Sequence, residues 1–202
     1  MKHLKNIVFD FGGVLIDWNP VYLYKKVFDS EEQMSYFLEN ICSSEWNIQQ
    51  DKGRPLSEAT ELLQKKHPEY KNEIEMYYGR WTEMLGGLFE ENVKLIKPLK
   101  EKYKVYGLTN WSAETIPHAM ERYGFFKDLD GIVVSGEEKL IKPDSRIYQT
   151  LLDRFDIKAE ETLFIDDNHT NVEAALNMNF KVVHLTEDLN LEKWLKDNEI
   201  MP

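Results

Sequence analysis

The sequence predicts an α/β fold, a doubly wound parallel sheet that carries an inserted helical bundle. Beyond residue 90, short apolar segments alternate with amphipathic helical segments, which is typical of a parallel sheet covered on both faces. From Val21 to Leu85, by contrast, the apolar residues recur at helical spacing, and the sequence predicts no strand there. We therefore expect a core domain at 1–17 and 89–202 and a helical cap at 18–88.

Five short apolar segments read as the strands of the sheet. The first is free of charge and ends just before Asp10, and the others follow the predicted cap. If the second and third strands lie on one side of the first, and the fourth and fifth on the other, strand order reverses between the first and the fourth. The five predicted strands are Asn6–Phe9, Lys104–Leu108, Gly131–Val134, Thr162–Ile165 and Phe180–His184.

Two serines are predicted to begin helices of the cap. Ser30 is followed by Gln33, which is the spacing of a capping box, and an apolar helical pattern comes next. Ser57 follows Pro55 and is predicted to cap a helix that continues to Lys66.

A further apolar stripe begins at Ile74, and we expect Gly86-Gly87 to end that helix. The residues from Leu15 to Pro20 are predicted to leave the first strand as an irregular segment, and Asp17 to Pro20 form its connection to the bundle. Both connections between cap and sheet are therefore candidate hinges.

The predicted helices of the core alternate with its strands. One at about 90–102 should be kinked by Pro98, because proline removes a backbone hydrogen bond. Ser112 is predicted to cap the helix that follows the second strand. The predicted core helices are about 90–102, Ser112–Tyr123, Asp144–Phe155, Asn168–Asn177 and about 187–198.

Composition narrows the class of protein. A chain of 202 residues with 42% hydrophobic residues can bury a sizeable core. The formal net charge of −11 argues against nucleic-acid binding, which requires a basic surface. Cys42 is the single cysteine, so no intrachain disulfide can form, and this fits a reducing compartment. The N-terminal residues lack a long apolar run, so we expect a cytoplasmic protein without signal peptide or membrane span.

Polar side chains recur at the ends of the predicted strands. Asp10 follows the first, Thr109-Asn110 the second, Lys142 comes after the third, and Asp166-Asp167 follow the fourth. Ligands of doubly wound sheets bind at this edge, near the reversal of strand order. Three carboxylates gathered there would repel one another unless a cation lay between them, and magnesium is the natural hard ion for such oxygen ligands.

These segments resemble the four ordered motifs of the haloacid dehalogenase superfamily. The motifs are Phe9 to Val14, Leu108 to Asn110, Lys142 to Asp144 and Phe164 to Asn168, and they span nearly the whole chain. The resemblance implies a Rossmann-like core with a type-one helical cap. It is strongest to the small bacterial phosphatases that act on sugar phosphates.

The resemblance also implies a mechanism and a set of site residues. Asp10 would attack phosphorus and form an aspartyl-phosphate. Mg²⁺ would be held by Asp10, the Gly12 carbonyl and Asp167, with Asp166 either a ligand or a partner of the ligands. The transferring phosphoryl group of a small phosphorylated metabolite would be bound by Thr109, Asn110 and Lys142.

Gly12 departs from the superfamily pattern. Phosphatases of this kind usually carry a second aspartate two residues after the nucleophile, as general acid and base, and its loss costs about 10²–10⁴-fold. Another acid or water could take over this role, and Asp17 and His169 are the candidate side chains. Alternatively, the leaving group needs little protonation, as in an anomeric or acyl phosphate, or the protein no longer catalyses a reaction.

Two other functions fit parts of the pattern. A 2-haloacid dehalogenase would use the same aspartate on carbon and needs no magnesium, and Asp166-Asp167 count against it. A non-catalytic domain that binds a phosphorylated ligand or a protein is favoured only by Gly12. The sequence does not indicate an oligomeric state.

Substrate specificity is expected to lie in the cap. We also expect it in the residues from Trp46 to Pro55, which are predicted to form a loop. The cap aromatics Trp46, Tyr77, Tyr78 and Trp81 could line the pocket, although their helical spacing favours the bundle core for most of them.

Overall fold

The computed structural model describes residues 3–201 and confirms the α/β fold. Five parallel strands form the main sheet in the order β5-β4-β1-β6-β7, so strand order reverses between β1 and β6 as expected. Two further strands, β2 and β3, pair in an antiparallel ribbon. The strands are β1 Asn6–Phe9, β2 Ile16–Trp18, β3 Leu85–Leu88, β4 Lys104–Thr109, β5 Gly131–Val134, β6 Thr162–Asp166 and β7 Lys181–His184.

A helical insertion lies between β1 and β4, and further helices cover the sheet. The helices of the insertion are α1 Val21–Tyr24, α2 Glu31–Asn40, α3 Ser44–Asp51, α4 Leu56–Lys66 and α5 Lys71–Gly79. Those of the core are α6 Glu90–Val93, α7 Ile96–Lys100, α8 Ile116–Arg122, α9 Ser135–Glu138, α10 Ser145–Phe155, α11 His169–Asn177 and α12 Leu191–Asp197.

The two faces of the sheet belong to two apolar clusters, because successive side chains of a strand point to opposite faces. In β1, Ile7 and Phe9 join the cluster that includes α7 and α12, whereas Val8 joins the cluster that includes α10 and α11. The first cluster continues into the insertion through residues such as Tyr24 and Phe37. The insertion is therefore packed onto one face of the core by continuous apolar contact.

The ribbon of β2 and β3 corrects the predicted exit from the first strand. Ile16 pairs with Leu88 and Asp17 with Gly87, so both connections contain paired strands, with a shift of register between Asp17 and Trp18. Gly86 and Gly87 do not end a helix, because α5 ends at Gly79 and a short 3₁₀ helix follows it. The sequence prediction failed here because both strands are short, β3 contains two glycines, and the two strands lie far apart along the chain, which leaves no alternating pattern to detect.

Of the two N-cap residues predicted for helices of the insertion, one is confirmed and the other is wrong. Ser30 accepts a hydrogen bond from the Gln33 N–H, as predicted. Ser57 caps no helix, since α4 begins one residue earlier. The N–H of Leu56 donates to Glu114 Oε1 at 2.9 Å, so a core side chain supplies the acceptor. An acceptor so distant in the sequence cannot be inferred from the local pattern.

Two core helices differ from their predicted extents. The segment 90–102 is broken between α6 and α7, and Pro98 lies in the first turn of α7, where no N–H is needed. Ser112 begins a turn rather than a helix, since α8 starts at Ile116 and has Pro117 in its first turn. Asp144 and Asn168 cap α10 and α11 through their side chains.

Among residues 3–201, no helix is both long and apolar enough to cross a membrane.

Candidate active site

Asp10 directly follows β1 and is fixed by main-chain contacts. Its own N–H donates to Ile165 O at 2.9 Å, and its Oδ1 accepts from the Phe11 N–H at 2.7 Å. The Phe11 ring packs over Gly107 of β4, where a Cβ would lie 2.2 Å from the ring. The absence of a side chain at residue 107 thus lets the chain turn immediately after Asp10.

The loop after Asp10 brings the backbone against Asp167. The N–H groups of Leu15 and Ile16 both donate to Phe11 O at 2.8 Å, which closes the loop. Gly13 has φ +74°, and a Cβ there would lie 2.2 Å from Asp167 Oδ2. Glycine is therefore required at this position both for its conformation and for the close approach of the carboxylate.

Lys142 connects the ends of β1, β4 and β6. Its Nζ lies 2.9 Å from Asp10 Oδ1 and 2.7 Å from Asp166 Oδ2, and it donates to Leu108 O at 3.0 Å. The side chain is fully buried, so three oxygens surround the ammonium group.

Asn110 holds the main chain of Lys142 in place. Its Oδ1 accepts from the Lys142 N–H at 2.8 Å, and its Nδ2 donates to Lys142 O at 3.0 Å. The predicted phosphate-binding residues Asn110 and Lys142 thus lie together at the edge of the sheet. Thr109, the last residue of β4, is buried beside them.

The two adjacent aspartates differ in environment. Asp166 is fully buried, and its Oδ1 accepts from the Asn168 N–H at 2.8 Å and from Asn171 Nδ2 at 3.1 Å. Its other oxygen contacts Lys142. Asp167 is exposed, and its carbonyl oxygen accepts a hydrogen bond from His184 Nε2 at 2.9 Å. Asp166 therefore organises its neighbours, whereas the Asp167 carboxylate is partly accessible to solvent and lies against the loop at Gly13.

The site carries more negative charge than Lys142 can neutralise. One oxygen each of Asp10, Asp166 and Asp167 lies within 4.8 Å of the others. Burial raises the pKa of Asp10 to about 7, with Lys142 opposing this shift and Asp166 adding to it. Burial, together with the charge of Asp166, raises the pKa of Asp167. Burial alone would lower the pKa of Lys142, but the two carboxylates beside it raise it overall. This donor set fits a hard divalent cation.

A cavity with about 430 Å³ of empty space adjoins the site, part of it open to solvent. Tyr78 and Trp81 line it, as the sequence suggested for cap aromatics, whereas Trp46 and Tyr77 do not and instead contact each other at 5.1 Å between ring centroids. The residues that line it are Gly12, Trp18, Asn47, Asp51, Tyr78, Trp81, Asn110, Trp111, Ser112 and Thr115.

Comparison with known proteins identifies the family. The family described as haloacid dehalogenase-like hydrolase matches residues 7–185, which is most of the chain. The chain belongs to the haloacid dehalogenase-like hydrolase family. The superfamily resemblance drawn from the four motifs is therefore confirmed, and with it the assignment as an enzyme of this hydrolase class.

The relatives of this hydrolase include phosphatases. A sesquiterpene phosphatase of Aspergillus oryzae is 28% identical over 190 residues, covering 92% of this chain and 91% of the relative. A phosphorylated carbohydrates phosphatase of Thermotoga maritima is 25% identical and covers 92% of this chain and 88% of the relative. The magnesium complex of a HAD family enzyme from Bacteroides thetaiotaomicron has the same fold, with a TM-score of 0.77, 21% identity and coverage of 96% and 100% of the two chains.

Neither candidate for the missing acid lies in the cavity of this hydrolase. Asp17 accepts a hydrogen bond from the Tyr22 hydroxyl at 2.7 Å and packs against Gly86 in the ribbon. His169 is exposed at the start of α11, where its Nδ1 lies 3.7 Å from Glu173. Both side chains are therefore engaged outside the residues that line the cavity.

Sequence reasoning missed several residues of the site. Asn171 follows the Asp166-Asp167 pair on the first turn of α11, and its hydrogen bond to Asp166 could have been anticipated from the capped helix start. Trp18 and Trp111 line the cavity from the ribbon and from the segment after β4. Of these two tryptophans, only Trp111 has a signal in the sequence, since it directly follows Thr109-Asn110.

Proposed function

We propose that this hydrolase is a magnesium-dependent phosphatase that acts on a small phosphorylated metabolite through an aspartyl-phosphate on Asp10. The observation that carries the proposal is the shared ammonium of Lys142, which contacts Asp10 and Asp166 beside Asp167. Three carboxylates and one ammonium group would repel an anionic substrate, so binding of such a substrate requires a cation as well. The phosphatases among the relatives support the same reaction class.

The proposal assigns a role to each residue of the site. The Asp10 carboxylate attacks phosphorus, and Lys142 offsets the charge that builds on the phosphoryl oxygens. Thr109 and Asn110 bind the transferring phosphoryl group. Asn110 also holds the main chain of Lys142 in place. Mg²⁺ would be held by Asp10, the Gly12 carbonyl, Asp166 and Asp167, and it supplies charge neutralisation between nucleophile and phosphate.

The substrate class we favour is a sugar phosphate. Aromatic rings and polar groups both line the cavity, and rings of this kind pack on the apolar face of a sugar while the polar groups bind its hydroxyls. The Thermotoga relative, a phosphatase of phosphorylated carbohydrates, supports this choice. We infer that the helices of 18–88 act as a cap that closes the site and excludes water.

The proposal is tested by phosphate release from a panel of sugar phosphates, nucleotides, a prenyl phosphate and p-nitrophenyl phosphate. We expect turnover with Mg²⁺, loss of turnover in EDTA and recovery when Mg²⁺ is restored. Activity on 2-chloropropionate without Mg²⁺ would instead support the dehalogenase. Absence of phosphate release from every ester would contradict the proposal.

The Asp167→Ala variant should bind Mg²⁺ at least about tenfold more weakly, because it removes an exposed carboxylate from the donor set. Isothermal titration calorimetry of both proteins with MgCl₂ measures this. Asp188→Ala is the matched control, since Asp188 is equally exposed and lies outside the site. Unchanged affinity of Asp167→Ala would remove Asp167 from the ligands.

A further inference from the structure

Gly12 leaves open space in the loop two residues after Asp10. A Cβ built on Gly12 meets nothing within 4 Å, and Gly12 lines the cavity. The loop after β1 therefore offers no side chain to the leaving group from this position. If the hydrolase protonates its leaving group, the proton must come from another wall of the cavity.

Asp51 of the insertion lines that same cavity. It is the last residue of α3, and its Oδ2 accepts a hydrogen bond from Asn47 Nδ2 at 3.1 Å. Its carbonyl oxygen accepts from the Ser135 hydroxyl, and the Ser112 N–H faces its carboxylate. These contacts tie the end of α3 to the core segment that directly follows Thr109-Asn110. The Asp51 carboxyl group is thus held at a defined place between the cap and the phosphate-binding segment.

The surroundings of Asp51 favour a neutral carboxylic acid. Among residues 3–201, no Lys, Arg or His nitrogen lies within 4.0 Å of its carboxylate. Arg54 donates instead to Gln50 Oε1 at 2.7 Å. Burial raises the pKa of Asp51 to about 7, opposed only by the Ser112 amide. The ionisable groups facing it from α5 are the Tyr77 and Tyr78 hydroxyls, whose pKa values are themselves raised by burial.

We propose that Asp51 is the general acid and base of this phosphatase, supplied by the helical insertion in place of a side chain at residue 12. The inference rests on the proposed phosphatase function and goes beyond it by naming the missing group. It also explains why neither Asp17 nor His169 needs to reach the cavity.

The proton balance is complete with the groups present. As Asp10 forms its bond to phosphorus, the bond from phosphorus to the ester oxygen breaks, and the Asp51 carboxyl proton passes to that oxygen, which leaves as the alcohol. Water then attacks the aspartyl-phosphate. Asp51, now a carboxylate, takes one proton of this water, the other stays on the released hydrogen phosphate, and Asp10 regains its carboxylate.

The test compares wild type and Asp51→Asn on two esters with Mg²⁺. Benzyl phosphate has a poor leaving group and p-nitrophenyl phosphate a good one. We expect kcat for benzyl phosphate to fall by about 10²–10³-fold in Asp51→Asn with little change in KM, because a general acid acts in the transition state. For p-nitrophenyl phosphate kcat should change by less than about fivefold, since this leaving group needs no proton. Equal slowing of both esters would show a structural role and overturn the assignment.

A second variant distinguishes loss of the proton donor from a structural defect in Asp51→Asn, because only the former can be restored by a carboxyl group placed elsewhere in the cavity. Adding Gly12→Asp to Asp51→Asn places a carboxyl group in the open space at residue 12, and we expect at least about tenfold recovery with benzyl phosphate. No recovery would overturn the proposal. Asp17→Asn is the matched control and should keep wild-type kinetics on both esters, and a selective loss there would move the role to Asp17.

Failure of the proposed phosphatase function and failure of the role of Asp51 give different results. A wild type that releases phosphate from neither ester contradicts the proposed function and the role of Asp51 together. A wild type that is active, with an unchanged preference for the better leaving group in Asp51→Asn, contradicts only the role of Asp51.

Discussion

Replacing Asp10 with asparagine should lower phosphate release by about 10⁴-fold or more, because an amide is a poor nucleophile toward phosphorus. Asparagine keeps the shape of the side chain, and its Oδ1 can still accept the Phe11 N–H. Lys142 keeps its contact with Asp166, so no buried charge is left alone. The variant should therefore fold like the wild type and lose only its chemistry. Phosphate release with Mg²⁺ and far-UV circular dichroism measure the two properties.

The matched control for this variant is Asp153→Asn, the same substitution at an exposed position on α10. It should retain wild-type turnover, which excludes a general effect of the substitution, and the loss of turnover in Asp10→Asn excludes a contaminating phosphatase. An Asp10→Asn protein with turnover within about tenfold of the wild type would remove Asp10 as the nucleophile. Inactivity of both the wild type and Asp10→Asn would instead favour the non-catalytic alternative.

The sequence was sufficient to bring the charged residues of the site together. Asp10, Thr109 and Asp166 each follow or end a buried strand, and parallel strands place their carboxyl ends at one edge. Once the five strands were recognised and their order inferred, the proximity of these residues followed. Lys142 lies on no strand, and only its place in the motif connected it to the site.

The parts that the sequence did not predict depend on contacts between distant segments. The ribbon of β2 and β3 pairs residues that are separated by the whole insertion. The position of Asp51 depends on how α3 docks on the core through Ser112 and Ser135, and an aspartate at the end of a helix carries no signal of that docking. The same holds for Glu114, which accepts the first N–H of α4. Local patterns specify elements, whereas these features arise only when the elements pack together.

Lys142→Met should cost both activity and stability. Methionine replaces the fully buried side chain at similar length but leaves Asp10 and Asp166 without their ammonium partner. Breaking a buried ion pair from one side costs about 3–5 kcal/mol of unfolding free energy. Loss of a positive charge at the transferring phosphoryl group should lower kcat by about 10³-fold. Urea unfolding and phosphate release measure these effects, and Lys158→Met, at an exposed position, is the control.

The stability loss in Lys142→Met should depend on pH in a defined direction. Burial already raises the pKa of Asp10 to about 7 although Lys142 opposes it, so removal of Lys142 should raise this pKa further. A carboxyl group with a raised pKa in the folded state stabilises the fold below its unfolded pKa of about 4, and this stabilisation is lost as the pH rises through the folded value. In EDTA, the deficit relative to wild type should therefore be small near about pH 4.5 and largest near about pH 8.

A second substitution shows whether the stability loss of Lys142→Met comes from unpaired charge or from altered packing. Asp166→Asn added to Lys142→Met removes one of the two unpaired carboxylates and should recover part of the lost stability near about pH 8, whereas a pure packing defect would not respond. Mg²⁺ should also restore stability to Lys142→Met, because a bound cation takes over part of the neutralisation that the ammonium provided. A deficit that is equal at both pH values and insensitive to both changes would show that Lys142 serves the fold by its volume, and the electrostatic account of the site would be wrong.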